Sequence, residues 1–142
     1  MAAEFTVIRK AFRDILVGDG TLVALLGGTA RVFYLRVRKP AEVPAISYFD
    51  FGDRPDIQVP LHERTLAIDI WANNFIQAED IAARIRELLD RVPISIPSGE
   101  FSVNHIFFDS EREAPLEEGD IVQKTLEFRY SVYQLTSNPW VV

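Results

Sequence analysis

Between His62 and Ala72 the chain alternates Leu66, Ile68 and Ile70 with Ala67, Asp69 and Trp71, and a few residues later the period changes. From about Phe75 to Arg91, Ala78, Ile81, Ala82, Ile85, Leu88 and Leu89 recur at spacings of three and four, with Glu79, Asp80, Arg84, Arg86, Glu87 and Asp90 between them. Period two sorts side chains to the two faces of a strand, whereas 3.6 gathers an apolar stripe along a helix. The sequence therefore predicts a strand with one buried face, followed by a helix whose stripe faces a core. Asn73 or Asn74 supplies the helix cap, and Pro93 ends the helix.

The flanking segments extend this pattern. Phe5, Ile8, Phe12, Ile15 and Leu16 mark an amphipathic helix over residues 4–16, broken by Gly18 and Gly20. Residues 21–26 read as a short second helix closed by Gly27 and Gly28. Strand composition follows at 31–35 and 45–51, separated by Pro40 and Pro44, with Gly52, Asp53, Arg54 and Pro55 as an exit turn. A strand from Phe101 to Asp109, an acidic loop and a long strand from Ile121 to Leu135 complete the chain before Pro139. Strands clustered around one late helix predict an α+β fold, a single domain over 1–142 with a short extension at 136–142. Its mainly antiparallel sheet of about five strands carries two helices packed on one face.

Composition removes whole classes of function. The 142 residues include no cysteine and two histidines, which excludes thiol nucleophiles, disulfide frameworks, zinc ribbons and iron–sulfur clusters. With 15 basic and 21 acidic side chains the net charge is −6, which argues against sequence-independent binding to DNA. Charges at Glu4, Arg9, Lys10, Arg13 and Asp14 interrupt the N-terminus as a signal peptide, and no eighteen apolar residues run together, so cytoplasmic synthesis without a membrane span is expected.

Catalytic constellations are few. His105 shares its predicted strand with Phe101, Val103 and Phe107 and reads as a core-edge residue, while His62 beside Pro60 reads as solvent-facing. Neither pairs at metal-ligand spacing, so no metal, cofactor or catalytic residue is expected. Gly18, Gly20, Gly27 and Gly28 flank a helix without a phosphate-loop motif and read as turn and cap residues. Two charged stretches stand out. Arg31, Arg36, Arg38 and Lys39 form a basic stretch, a candidate subunit interface together with apolar Trp140 near the C-terminal end. Asp109, Glu111, Glu113, Glu117, Glu118 and Asp120 form the acidic loop, six acids against the single Arg112.

In order and separation, several segments resemble the tail-completion, or tail-terminator, proteins of long-tailed bacteriophages and prophages. They are the N-terminal helix, the stretch from Leu25 to Phe33, the proline-flanked strand from Val43 to Tyr48, the strand from Arg64 to Ala72, the alanine-rich helix from Ala78 to Leu89 and the closing strand from Leu126 to Tyr133. The loop after Phe51 and the extension from Pro139 depart from shorter family members. The resemblance implies a non-enzymatic virion protein, made in the host cytoplasm, that caps the head-proximal end of the tail as a hexameric ring. Its partners would be copies of itself, the tail-tube protein and a head-closure or connector protein, with DNA passing through without specific binding.

The acidic excess suggests how such passage works. DNA carries about one negative charge per 1.7 Å of axis, so acids facing a channel would repel it and let it slide. The 109–120 acids are the first candidates to face the lumen or the tube. A head-closure or neck ring of the same connector, and a small ligand-binding or enzymatic α+β domain, remain the alternative readings at this point.

Overall fold

In a computed structural model the described residues are 4–34, 43–55, 61–94, 101–115 and 121–134. Helix α1 spans Glu4–Gly18 and α2 spans Gly20–Leu25. Strands β1 (Val32–Tyr34), β2 (Ala45–Pro55) and β3 (Leu61–Ala72) follow, then α3 (Phe75–Leu89), β4 (Phe101–Pro115) and β5 (Val122–Gln134). The strands form one sheet in the order β1-β2-β3-β5-β4. Only the β1–β2 pairing is parallel; the other three are antiparallel. The expected α+β fold, with helices on one face of a mainly antiparallel sheet of five strands, is the observed one.

Local chemistry sets the helix boundaries. Asp19 caps α2 by accepting the Leu22 N–H at 2.8 Å. At its other end Gly28 N–H reaches the Val23 carbonyl at 2.9 Å and Gly27 N–H the Ala24 carbonyl at 3.1 Å. This is a Schellman closure, and Gly27 takes the φ of +91° that it requires. Asn74 caps α3 through Gln77 N–H, while the Gln77 amide oxygen accepts from Asn73 N–H, so both asparagines serve the helix start.

All three helices pack on the same sheet face. Ile8, Phe12 and Leu16 of α1, Leu22 and Leu26 at α2, and Ala78, Ile81, Ala82, Ile85 and Leu89 of α3 meet Ile46, Leu66, Ile68, Ile70, Leu126, Phe128 and Val132 in one buried cluster. Phe12 sets its ring edge-on to Tyr130 at 5.1 Å. The crossover through α3 carries the chain from β3 past β5 to the edge strand β4, and so lays α3 over that half of the sheet.

Two strands run further than their sequence predicts. β2 continues through Gly52 to Pro55, where an exit turn was expected, because Gly52 adopts φ +78° and the pairing with β3 resumes after a shift between Phe51 and Arg54. β4 continues to Pro115, so residues 109–115 are strand and not loop. The register shifts between Phe108 and Ser110, and Glu111, Arg112 and Glu113 then pair with Leu126, Thr125 and Lys124. A further shift separates Val103, opposite Val132, from His105, opposite Ser131. Strict period-two alternation along β4 therefore breaks between Val103 and His105.

Candidate functional site

The face of the sheet opposite the helices carries a second set of side chains. Pairing across β2, β3, β5 and β4 aligns Phe51, Thr65, Arg129 and Phe107 in one row, and Ser47, Asp69, Thr125 and Arg112 in another, four residues away along β2, β3 and β5 and five along the bulged β4. Phe33, Phe49, Trp71 and Tyr133 belong to the same face by register. Among the described residues no helix covers it. Phe51 is 43% exposed and stacks on Phe49 at 5.7 Å, and Phe107 is 46% exposed. Beside Phe107 lies an open cleft of about 400 Å³, lined also by Thr65, Arg129 and Ser131 and by Gly52, Glu63, Arg64 and Tyr130; Phe51, next to Gly52, stands in the same row of the sheet.

Towards the ends of β2 and β5 that face is polar and tied together: Thr125 donates to Asp69 at 2.6 Å and the Trp71 indole N–H reaches Ser47 at 3.5 Å. Arg129 and Arg112 project from it, 74% and 75% exposed at the side chain, with their carboxylate neighbours Asp109 and Glu127 at 3.6 and 3.7 Å. These separations exceed those of a formed charge-assisted hydrogen bond. Each guanidinium keeps donors to offer.

On the helix side the acids of β4 are neutralised within the domain. Lys124, 1% exposed, lies 2.9 Å from Glu113, 3.4 Å from Glu111 and 2.5 Å from Glu79 of α3. Burial pulls the Lys124 ammonium down, and hydrogen bonds from it to Glu79 and Glu113 outweigh that and raise it. The same bond holds the Glu79 carboxyl below the ordinary carboxylate range. An unpaired ammonium would not be retained here, so the carboxylates are what allow Lys124 to sit under α3. Glu111 and Glu113 are thus part of β4 and not of a loop, and after the bulge at Asp109 both lie against Lys124 while staying partly exposed.

A second buried cluster anchors α1. Asp50 accepts from Arg9 at 2.7 Å, from Arg64 at 3.0 Å and from the Tyr130 hydroxyl at 3.0 Å. Burial pushes the Tyr130 phenol far above its usual value, with the Asp50 charge adding to the shift. Arg64 and Tyr130 also line the cleft on the sheet, and the bonds from Arg9 and Tyr130 to Asp50 hold α1 on the sheet.

The other sequence candidates divide simply. Arg31 is half-buried with its guanidinium beside Gly27. Asp109 is exposed next to Arg129. Arg36, Arg38, Lys39, Glu117, Glu118, Asp120 and Trp140, and the side chains of His62 and His105, lie outside the described residues. Among the described residues no group of three or more His, Asp or Glu is arranged to hold a metal, and no helix is long and apolar enough to cross a membrane. Sequence reasoning missed Phe51, Phe107, Arg112 and Arg129 as a surface. The signal was present in the alternation Thr125, Glu127, Arg129, Ser131 and Tyr133 along β5, whose second face is too polar for a core and too aromatic for plain solvent.

The sequence profile of the family described as tail completion protein gp17 matches residues 10–133, nearly the whole fold. The chain belongs to the tail completion protein gp17 family. It is a structural, virion-associated protein of phage tails. No curated protein matches the chain. Among solved structures, one described as the virion of a native gene transfer agent particle superposes with a TM-score of 0.78 at 19% identity, over 94% of this chain and 99% of that one. Another aligns with a TM-score of 0.64 at 12% identity, over 96% and 100% of the two chains. At such identities the likeness is one of fold. The gp17-family match ends at Tyr133, one residue before β5 ends, so the extension at 136–142 lies beyond it.

Proposed function

We propose that this tail completion protein closes the head-proximal end of a phage tail tube as a hexameric ring, stops the tube from growing and presents the surface to which the head joins. The observation that carries the reading is a domain of this family whose sheet is covered by helices on one face and carries exposed phenylalanines and arginines on the other. Soluble monomers seldom leave such a combination bare, and aromatic residues with arginine are the types enriched in protein interfaces. A ring needs two different, mutually complementary patches on each subunit. A helix-covered face and a second, aromatic face supply two unlike surfaces.

In this ring Arg31, Arg36, Arg38, Lys39 and Trp140 serve subunit or tube contacts. The acids Asp109, Glu111, Glu113, Glu117, Glu118 and Asp120 lie toward the channel or the tube, and DNA passes without specific binding. The internal pairing of Glu111 and Glu113 with Lys124 shifts the weight of that role to the remaining acids. No cofactor or chemical step is involved, in keeping with a structural family.

The test is assembly. Purified protein is examined by light scattering and electron microscopy alone, with purified tail tubes, and with portal-containing heads. Rings seated on one end of the tubes support the reading. Binding to heads and not to tubes indicates a head-closure or neck ring, and a monomer that never joins tube ends overturns the proposal.

A further inference from the structure

Resting on the ring reading, we propose that the outer face of α3 of one copy seats across the sheet row from Phe51 to Phe107 of the next copy, over the cleft beside Phe107, so that the ring is built by helix-on-sheet contacts. The two phenylalanines stand on strands three spacings apart, about 14 Å at ~4.8 Å per strand. An α-helix with its side chains measures roughly 10–12 Å across. The floor between the walls is made of Thr65 and Ser131, which leave room, and of Arg129, which supplies charge.

The helix that fits is chosen by its exposed residues. On α3, Ile76, Asp80, Ala83 and Glu87 follow one another at spacings of four, three and four and form one outward stripe. Ile76 is 76% exposed, more than any other large hydrophobic residue described, and Ala83 lets a backbone approach closely. Asp80 has no ion pair among the described residues, and Glu87 is engaged only by Arg84 of its own helix. This stripe is acidic and apolar, and the cleft it would enter sets Arg129 beside Phe107, with Glu63 on its rim. The outward side of α1 instead carries Lys10, paired with Asp14, and Arg13, a net cationic side that Arg129 and Arg112 would repel. Because α3 and the cleft lie on opposite faces of the domain, the contact is heterologous. A rotation between successive copies closes it into a ring, with both sheet edges left free for the channel and the tube.

The absence of cysteine makes the geometry testable by cross-linking. Ala83→Cys and Ser131→Cys are placed in one chain, the protein is assembled with tail tubes, and a short bis-maleimide is added. The expected result is a covalent ladder that stops at the ring number, no covalent dimer from either single variant, and dimers only when the two single variants are mixed. Independently, Arg129→Glu alters an exposed side chain and should fold as the wild type does by circular dichroism, yet form rings at least tenfold less readily, with recovery when combined with Asp80→Lys and Glu87→Lys. Wild-type rings without the mixed cross-link, self-linking of Ala83→Cys alone, or undiminished assembly of Arg129→Glu would each overturn the interface while leaving the ring intact. Failure of the wild type to form rings on tubes would overturn the ring itself, and the interface with it.

Discussion

The Tyr130 hydroxyl donates to Asp50 Oδ2 at 3.0 Å across 80 residues of sequence, and both side chains are buried where α1 crosses β2 and β5. Asp50 also receives Arg9 and Arg64, so one carboxylate answers two guanidinium groups and a phenol. Removing it takes the shared acceptor from Arg9, a third exposed, and from Arg64, which is buried. Asp50→Ala should cost about 3–5 kcal/mol, the range for breaking a buried pair from one side. Tyr130→Phe, which removes a single hydrogen bond, should cost about 1–2 kcal/mol. Denaturant unfolding of both variants checks the order, and near-equal losses would show that Asp50 does not hold the cluster together.

Asp19 does two things at once. It caps α2 through Leu22 N–H at 2.8 Å and grips Arg84 of α3 with both oxygens, at 2.8 and 2.7 Å. Asp19→Ala loses cap and ion pair together, whereas Arg84→Ala keeps the cap and loses the pair with Asp19 and the more exposed pair with Glu87, whose worth is reduced by exposure. The first variant should be less stable than the second by about 1 kcal/mol, the usual value of an N-cap. Asp19→Asn keeps the cap oxygen and should fall between them in thermal unfolding. Equal melting temperatures for Asp19→Ala and Arg84→Ala would remove the cap from the account.

Local patterns carried most of this fold. Leu66, Ile68 and Ile70 announce β3, and the Ala78 to Leu89 stripe announces α3, because each states its own period within a dozen residues. The continuation of β4 past Asp109 was hidden, since the bulge there breaks the alternation and Glu111 and Glu113 are poor strand formers taken alone. Their pairing with Lys124 spans a hairpin and becomes visible only once the strands are in register. Lys124 itself is a residue type almost never buried without partners, and its partners come from two other elements. The Asp50 cluster was illegible for the same reason: 41 residues separate Arg9 from Asp50, and no periodicity reaches that far. Phe51 and Phe107 escaped as a surface because a β face is defined by strand order, and strand order is a property of the whole sheet.

The same ion pairs set the pH response. Glu79 and Asp19 are held below their ordinary values near 4.5 and 3.8, by hydrogen bonds from Lys124 and Arg84 respectively. A carboxylate lowered on folding contributes stability above its unfolded value, and that contribution is lost as pH falls through the folded one. Lys124, raised above 10.5, contributes fully below that value and loses its contribution as pH rises through the higher folded one. The melting temperature should therefore be level from about pH 5 to 9 and decline on the acid side below about pH 4. Glu79→Gln should make the acid decline shallower. A melting profile in which Glu79→Gln and the wild type decline alike would exclude Glu79 from the acid response.

The acids of the β4–β5 hairpin can be separated by what their loss would do. Glu111 and Glu113 cannot test passage of DNA cleanly, because neutralising them strips counter-charge from buried Lys124 and threatens the fold. Glu117, Glu118 and Asp120 stand between the end of β4 at Pro115 and the start of β5 at Val122. The triple variant Glu117→Gln, Glu118→Gln, Asp120→Asn leaves both strands unchanged and should unfold within about 0.5 kcal/mol of the wild type. If these acids repel DNA in a channel, particles carrying the variant should assemble normally but release DNA more slowly, and the difference should shrink at high salt as charges are screened. Dye uptake by released DNA measures this directly. Release at the wild-type rate across the salt series would place the hairpin acids away from the DNA path.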